Sequence, residues 1–441
     1  MSKAAHSLAE ESPPVPGDLV PSGSDFTDDP ARLQRARPIP RISIQAFCED
    51  GATAEVVQIA AADRRLSKSH VSVHMGGASA AVAHYQDSPT PNLIVIETSL
   101  PRAQMLGELD RLANCCDEGT KVVVIGRLND VLLYRELLKR GVSEYLIAPI
   151  SPLQLIESLS NLYNNPDTDP VGNVIAFIGA KGGVGSSTVC HNAAWAMSEL
   201  LKTNVVVADL DLAFGTTGLD FNQDPVQGIA EALQSPERLD EVLLDRLLTK
   251  CSERLSIFAA PVVLDRDYEI SPDACDLVLD IVRQNVPFVA VDLPHTWSPW
   301  VKRVLLQADE IVITAIPDLA NLRNAKNLID LLKQNRANDA APRLVINMVK
   351  MPKRPEISIK EFAVALDMQP SQTIEFDSEA FGLAANNGQM LEEFSAKAKA
   401  AQQFRELALE LAHRKDEKED KKKPSALAPL APILEKFKLT R

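Results

Sequence analysis

The chain has 441 residues, 45% of them hydrophobic and 24% charged, with a formal net charge of −14. At about 150 residues per domain that length implies two or three folded units, and the composition lets most of the chain bury a core. The acidic balance argues against broad adhesion to DNA or anionic lipid, which both depend on Lys and Arg contacts, and leaves room only for a local basic patch.

Residues 1–40, with "HSLAEESPPVPGDLVPSGSDFTDDP", are rich in Pro, Ser and acids without an apolar period, the composition of a disordered arm. A secretory signal would need an apolar core there, and no apolar run approaches the ~18 residues of a spanning helix, so a cytoplasmic location is expected. From 41 to 163, the runs "ISIQAF", "NLIVIE", "KVVVIG" and "EYLIAP" alternate with helical patterns such as "NDVLLYRELLKRG", predicting a compact α/β unit. Residues 164–173, "NNPDTDPVGN", read as a linker. Residues 174–413 carry "VIAFIG", "NVVVAD", "PFVAVD", "EIVITA" and "RLVINM", apolar runs of the kind buried on both faces of a parallel sheet, which predicts a doubly wound fold. The tail 414–441 passes from mixed charges through an Ala/Pro stretch to a short amphipathic end bearing Ile433, Leu434, Phe437 and Leu439. So small an apolar face gives marginal lipid contact; partner docking and disorder are the alternatives.

In doubly wound sheets ligands sit beyond the carboxyl ends of the strands. The residues there are Gly179–Thr188, Asp209, Asp211, Asp292, Pro317, Asp318 and Asn347. Within the first group, "AKGGVGSST" lies between a buried strand and the helical pattern "VCHNAAWAMSELLK". Glycines let a backbone curl around an anion, and the unpaired amides of a helix N-terminus bind phosphate. The common rule, G-x-x-x-x-G-K-[ST], fails here twice: Ala180 stands for the first glycine and Ser186 for the lysine, while Ser187 keeps the hydroxyl that reaches a metal. A lysine, Lys181, instead opens the glycine run.

Together, "KGGVGSST", "VVVADLDLAFGTTGLD" and "FVAVDLP" resemble the MinD/ParA family of deviant Walker-A ATPases. The resemblance implies ATP and Mg²⁺ as cofactors and a homodimer that sandwiches the nucleotide. Lys181 would then reach the partner's phosphates, while Gly182, Gly183, Val184, Gly185 and Ser186 form the cradle. Ser187, with Thr188 as the weaker alternative, would ligate Mg²⁺. Asp211 would orient the attacking water, Asp209 support the metal shell, Asp292 hold the metal through water, and Asn347 face the adenine. Ser186 departs from most members, which keep a second lysine. A lost charge-assisted contact is worth about 1.5–3 kcal/mol, so weak, dimer-dependent hydrolysis is expected.

With a receiver-like unit ahead of it and "FGLAANNGQML" behind, the loop resembles the CpaE/TadZ pilus-assembly branch of that family. This implies a localisation or assembly factor for Flp-type pilus machinery at the bacterial cell pole, near the inner membrane, working with a secretion ATPase and without specific nucleic acid. A non-catalytic scaffold and a segregation or division-site ATPase are the competing readings.

The first unit lacks the chemistry of a phosphoryl acceptor. Glu49 and Asp50 supply an acidic pair, but Glu97 stands at the acceptor position, Gly126 at the hydroxyl position and Ala148 at the lysine position before Pro149. A protein-docking module is expected, with Glu97 a surface glutamate and a permanently "on" carboxylate the alternative. His295 and Trp297 lie where a nucleotide-sensing switch or plain loop packing would place them. Cys48, Cys115, Cys116, Cys190, Cys251 and Cys275 form no CxxC pair and read as buried thiols.

Overall fold

The computed structural model describes residues 38–117, 119–163, 171–261 and 268–413. The arm at 1–37, most of the linker and the tail at 414–441, with the readings of disorder and of an amphipathic end, lie outside the described residues.

Five apolar runs become β1 (Ser43–Cys48), β2 (His70–Met75), β3 (Leu93–Thr98), β4 (Lys121–Gly126) and β5 (Glu144–Ile147). They form one parallel sheet in the order β2-β1-β3-β4-β5, the flavodoxin-type arrangement. Helices Gly51–Ala61 and Pro152–Tyr163 seal one face around Val57, Ile156 and Leu159. Helices Gly77–Tyr85, Arg102–Ala113 and Val131–Lys139 seal the other around Tyr85, Leu109 and Leu137. β3 is buried along its whole length because it runs through the middle of this sandwich.

The second sheet contains β6 (Asn173–Gly179), β7 (Val205–Asp209), β8 (Thr249–Lys250), β9 (Leu255–Phe258), β10 (Phe288–Asp292), β11 (Glu310–Ala315), β12 (Arg343–Val349) and β13 (Gln372–Glu375). Its order is β13-β12-β11-β6-β10-β7-β9-β8, parallel except for the β8/β9 pair. Hydrophobic clusters cover both faces, so the protein is an α/β chain with a doubly wound, mostly parallel sheet. β6 lies at the centre, between β10 and β11. The loop that follows it is therefore ringed by the ends of its neighbours.

The two sheets meet at a charged seam. The turn Arg64–Leu66, capped by Asp63, sends Arg64 to Asp309 and Asp339, and Arg65 to Asp339. Asp309 immediately precedes β11 and accepts the backbone N–H of Val174 in β6. The seam thus grips the amino edge of the second sheet, the end opposite the loop that follows β6.

Candidate functional site

The loop after β6 curls because Gly183 and Gly185 adopt φ of 78° and 81°, a region that costs an ordinary side chain strain and glycine little. Gly185 precedes the helix Ser186–Leu201, whose first amides are capped by no side chain. Three side chains, two from strand ends and Asn324 from the helix Leu319–Asn335, hold the loop's carbonyls outward. His295 Nδ1 donates to Gly179 O at 3.1 Å, Asn324 Nδ2 to Ala180 O at 2.9 Å and Asn347 Nδ2 to Val184 O at 2.9 Å. A peptide's N–H points away from its C=O, so the loop turns its donors inward. With the uncapped helix amides, that makes an anion cradle.

Asn347 reaches the loop because β12 bulges between Ile346 and Val349, with Met348 at φ 52°. Its amide nitrogen would lie 2.6 Å from a Cβ at position 185, so only glycine fits opposite it. Both ends of this amide are engaged within the chain, since Oδ1 accepts the Met348 N–H at 2.9 Å. Here Asn347 clamps the loop. Lys181 is exposed, and no acidic group among the described residues lies within ion-pair distance of its amine; Asp318 feels its charge.

Two of the predicted carboxylates stand side by side, because Asp209 and Asp292 are register partners on β7 and β10. Both are buried. Burial pushes the Asp292 carboxyl above the ordinary carboxylate range; His191 pulls it down and Asp209 pushes it up, while a hydrogen bond from Ser187 also lowers it. Ser187 rather than Thr188 therefore meets Asp292. Asp209 is raised by burial too, and it organises the segment that follows. Thr217 Oγ1 donates to its Oδ2 at 2.6 Å and the Asp211 N–H donates to its Oδ1 at 3.1 Å. Gly215 packs so closely that a Cβ there would meet the carboxylate at 2.3 Å. Asp211 is partly exposed and accepts the Phe214 N–H at 3.1 Å.

The loop predicts a nucleotide with a divalent cation, and the described residues fit both. Ser186 Oγ and Asp292 Oδ1 are buried and have no hydrogen-bond partner among the described residues, which leaves a hydroxyl beside the cradle and a carboxylate oxygen beside Ser187 open to a ligand. Ser187, Asp292 and the neighbouring Asp209 are the residues that would hold a cation.

Sequence reasoning missed His191 and Asn324. His191 is fully buried, with Nδ1 2.8 Å from Asp220 Oδ2 and Nε2 3.1 Å from Thr217 Oγ1 and 3.7 Å from Asp292 Oδ2. Thr217 spends its one proton on Asp209, so its oxygen receives Nε2–H, and Asp220 receives Nδ1–H. Burial alone would lower the His191 pKa, but the Asp220 hydrogen bond and the charges of Asp292, Asp220 and Asp209 outweigh it and raise the value.

In the first sheet, the expectation of a surface glutamate is overturned. Glu97 is 4% exposed. Its Oε2 accepts the N–H groups of Glu49 and Asp50 at 2.8 and 2.9 Å, and its Oε1 accepts Thr53 Oγ1 at 2.7 Å. Residue 126 carries no side chain because Tyr145 fills that space: a Cβ there would meet its Oη at 2.4 Å. Tyr145 Oη donates to Leu128 O at 2.9 Å and is buried. The carboxylate and the tyrosine are both buried and hydrogen-bonded in these places. The six cysteines are unpaired, with Cys48, Cys190 and Cys275 buried. Among the described residues no cluster of potential metal ligands of the His/Cys/Asp/Glu type occurs, and no helix is long and apolar enough to cross a membrane.

No family model matches the chain. A crystal structure of the pilus assembly protein CpaE from Caulobacter crescentus is 51% identical over 29% of this chain and 98% of its own, with a TM-score of 0.29. A ParA family ATPase from Chlorobium tepidum is 24% identical, covering 55% of this chain and 99% of its own, with a TM-score of 0.51. Septum site-determining protein MinD from Bacillus subtilis is 24% identical over 191 residues, 41% of this chain. The match spans 66% of that MinD and 60% of the Synechocystis one.

Proposed function

The chain belongs to the CpaE pilus-assembly family within the MinD/ParA ATPases, and on that premise we propose that it is an ATP-binding, dimerising factor for Flp-type pilus assembly. In this reading it acts in the cytoplasm at the cell pole, near the inner membrane, alongside a secretion ATPase and without nucleic acid. Lipid contact through its C-terminal segment is at most weak.

One observation carries the reading. The cradle offers backbone donors, yet Ser186 stands where a lysine would, and the loop's own lysine, Lys181, stands exposed with no acidic group in ion-pair distance among the described residues. A charge so placed suits phosphates bound by a second copy. The same sheet edge carries exposed apolar side chains, Phe214 after β7, Trp297 after β10 and Leu319 after β11, the kind of surface that a partner covers. The uncapped helix amides bind and orient the phosphates, and Ser187 with Asp292 anchors the cation end. Magnesium, when bound, would draw charge from the phosphate oxygens. Asp211, held by the Asp209 network at the mouth of the cradle, accepts a proton-bearing water and aims it. Lacking the in-cis lysine, each subunit binds ATP weakly and hydrolyses it slowly.

Light scattering on size-separated protein tests this, with and without ATP and Mg²⁺, for the parent and Lys181→Ala. ATP and Mg²⁺ are expected to drive dimerisation of the parent. The variant should stay monomeric and lose at least about 10-fold in turnover, matching a charge-assisted contact of about 1.5–3 kcal/mol. Equal dimerisation of both proteins would favour a scaffold whose nucleotide site is vestigial.

A further inference from the structure

We infer that His191 is a positioning residue that pins the segment carrying Asp211 to the helix leaving the anion cradle, so that the cradle and the water-orienting group move as one unit. The inference rests on the ATP-binding reading above.

The segment from Asp211 to Asp220 is otherwise lightly held. Leu212 alone inserts into the core at its start, while Phe214 is 75% exposed and Leu219 74%, so beyond Leu212 little apolar burial fixes it. Its attachment is polar and converges on one ring. His191 stands one turn beyond Ser187 on the helix Ser186–Leu201, and its Nδ1 holds Asp220 at the far end of the segment. Its Nε2 holds Thr217, whose hydroxyl passes the link to Asp209, and Asp209 in turn fixes the Asp211 backbone. Thr216 Oγ1 adds a second donor to Asp220 Oδ2 at 3.2 Å. Each bond from Ser187 to Asp211 is therefore made through buried groups of fixed direction. A side chain that cannot donate from both ends leaves either Asp220 or Thr217 unheld.

The link sits beneath the cradle and touches none of its amides, so it separates binding from turnover. His191→Gln reaches one partner at most. Asp220→Ala, where the side chain is 26% exposed, removes the ring's anchor at the far end of the segment without emptying a fully buried site. In both variants kcat should fall at least about 10-fold while KM for ATP changes less than about 3-fold, the pattern of an interaction needed only at the transition state. Amide hydrogen exchange gives a readout independent of turnover. In the parent, ATP with Mg²⁺ should slow exchange across 211–220 by at least about 10-fold, and both variants should lose that protection. Unchanged ATP-dependent protection in Asp220→Ala would overturn the inference, whatever the behaviour of His191→Gln. A parent protein without any ATP turnover would sink the catalytic reading of Asp211, while the exchange data would still decide whether His191 couples the segment to the cradle.

Discussion

A carboxylate accepts hydrogen bonds and cannot donate them, and Glu97 uses that asymmetry fully. It faces two backbone N–H groups and one hydroxyl, all donors. In Glu97→Gln the amide nitrogen must face either the backbone pair, donor against donor, or Thr53, whose hydroxyl must then turn round to accept, and all three bonds lose the charge of the acceptor. Loss of about 1.5–3 kcal/mol is expected, readable as a lower urea midpoint at unchanged slope. A midpoint within error of the parent would mean that these donors are satisfied elsewhere and that the carboxylate does not hold the loop. Counting along strands placed Glu97 at the acceptor position, but it could not show that the amides of Glu49 and Asp50 point back at it. Burial here depends on the direction of a neighbouring loop. His191 was hidden for a similar reason: the helical pattern marks it only as facing inward, and its partners Thr217 and Asp220 come from a segment 26 and 29 residues onward.

At the scale of elements, the strands that are continuous apolar runs were legible and those on the margins were not. β6, β7, β10, β11 and β12 carry their burial in their composition. β2, "HVSVHM", is an edge strand with no fully buried residue, so nothing in its sequence demands a core. β13, "QTIE", is the opposite edge of the large sheet, and β9 is four residues long. The parallel strands also bring cost to the site, because the register that pairs β7 with β10 sets two buried carboxylates next to each other. Asp292 has one oxygen without a partner among the described residues, and burial holds its carboxyl above the usual range. Asp292→Asn keeps the shape and an acceptor for Ser187 while removing the buried charge. The ligand-free variant should be more stable than the parent by about 1–3 kcal/mol. It should also lose the extra thermal stabilisation that Mg²⁺ adds to nucleotide binding. A variant less stable than the parent in the absence of ligand would show that the carboxylate is already compensated by His191.

At the scale of the whole molecule, the question is whether the two sheets behave as one body. The pattern of apolar runs predicted two α/β units and gave no sign of the seam, since Arg64 and Arg65 lie more than 240 residues before their partners Asp309 and Asp339. Six charges lock there: Arg64 and Arg336 both reach Asp339 Oδ2 at 2.9 Å, Arg65 reaches its Oδ1 at 2.5 Å, and Arg283 joins Arg64 on Asp309. All of these side chains are almost wholly buried. Burial would raise the Asp339 and Asp309 carboxyls, yet the guanidiniums overcome it and hold both below the ordinary range. Removing one partner from such a network strands the remaining charges, at about 3–5 kcal/mol. Calorimetry should therefore show one transition for the parent and two for Asp339→Ala, as the first sheet's unit comes free. The sign with pH follows from depressed carboxyls: their contribution is present above about pH 4, the unfolded value, and is lost as pH falls through the folded values. The parent should split into two transitions in that acid window, and the variant should already be split at neutral pH. A single transition in Asp339→Ala at pH 7 would mean that the sheets are coupled by other contacts. If the seam holds, the unit with Glu97 and Tyr145 is fixed to the amino edge of the large sheet, so two copies meeting at the Lys181 edge would carry these units outward, at opposite ends.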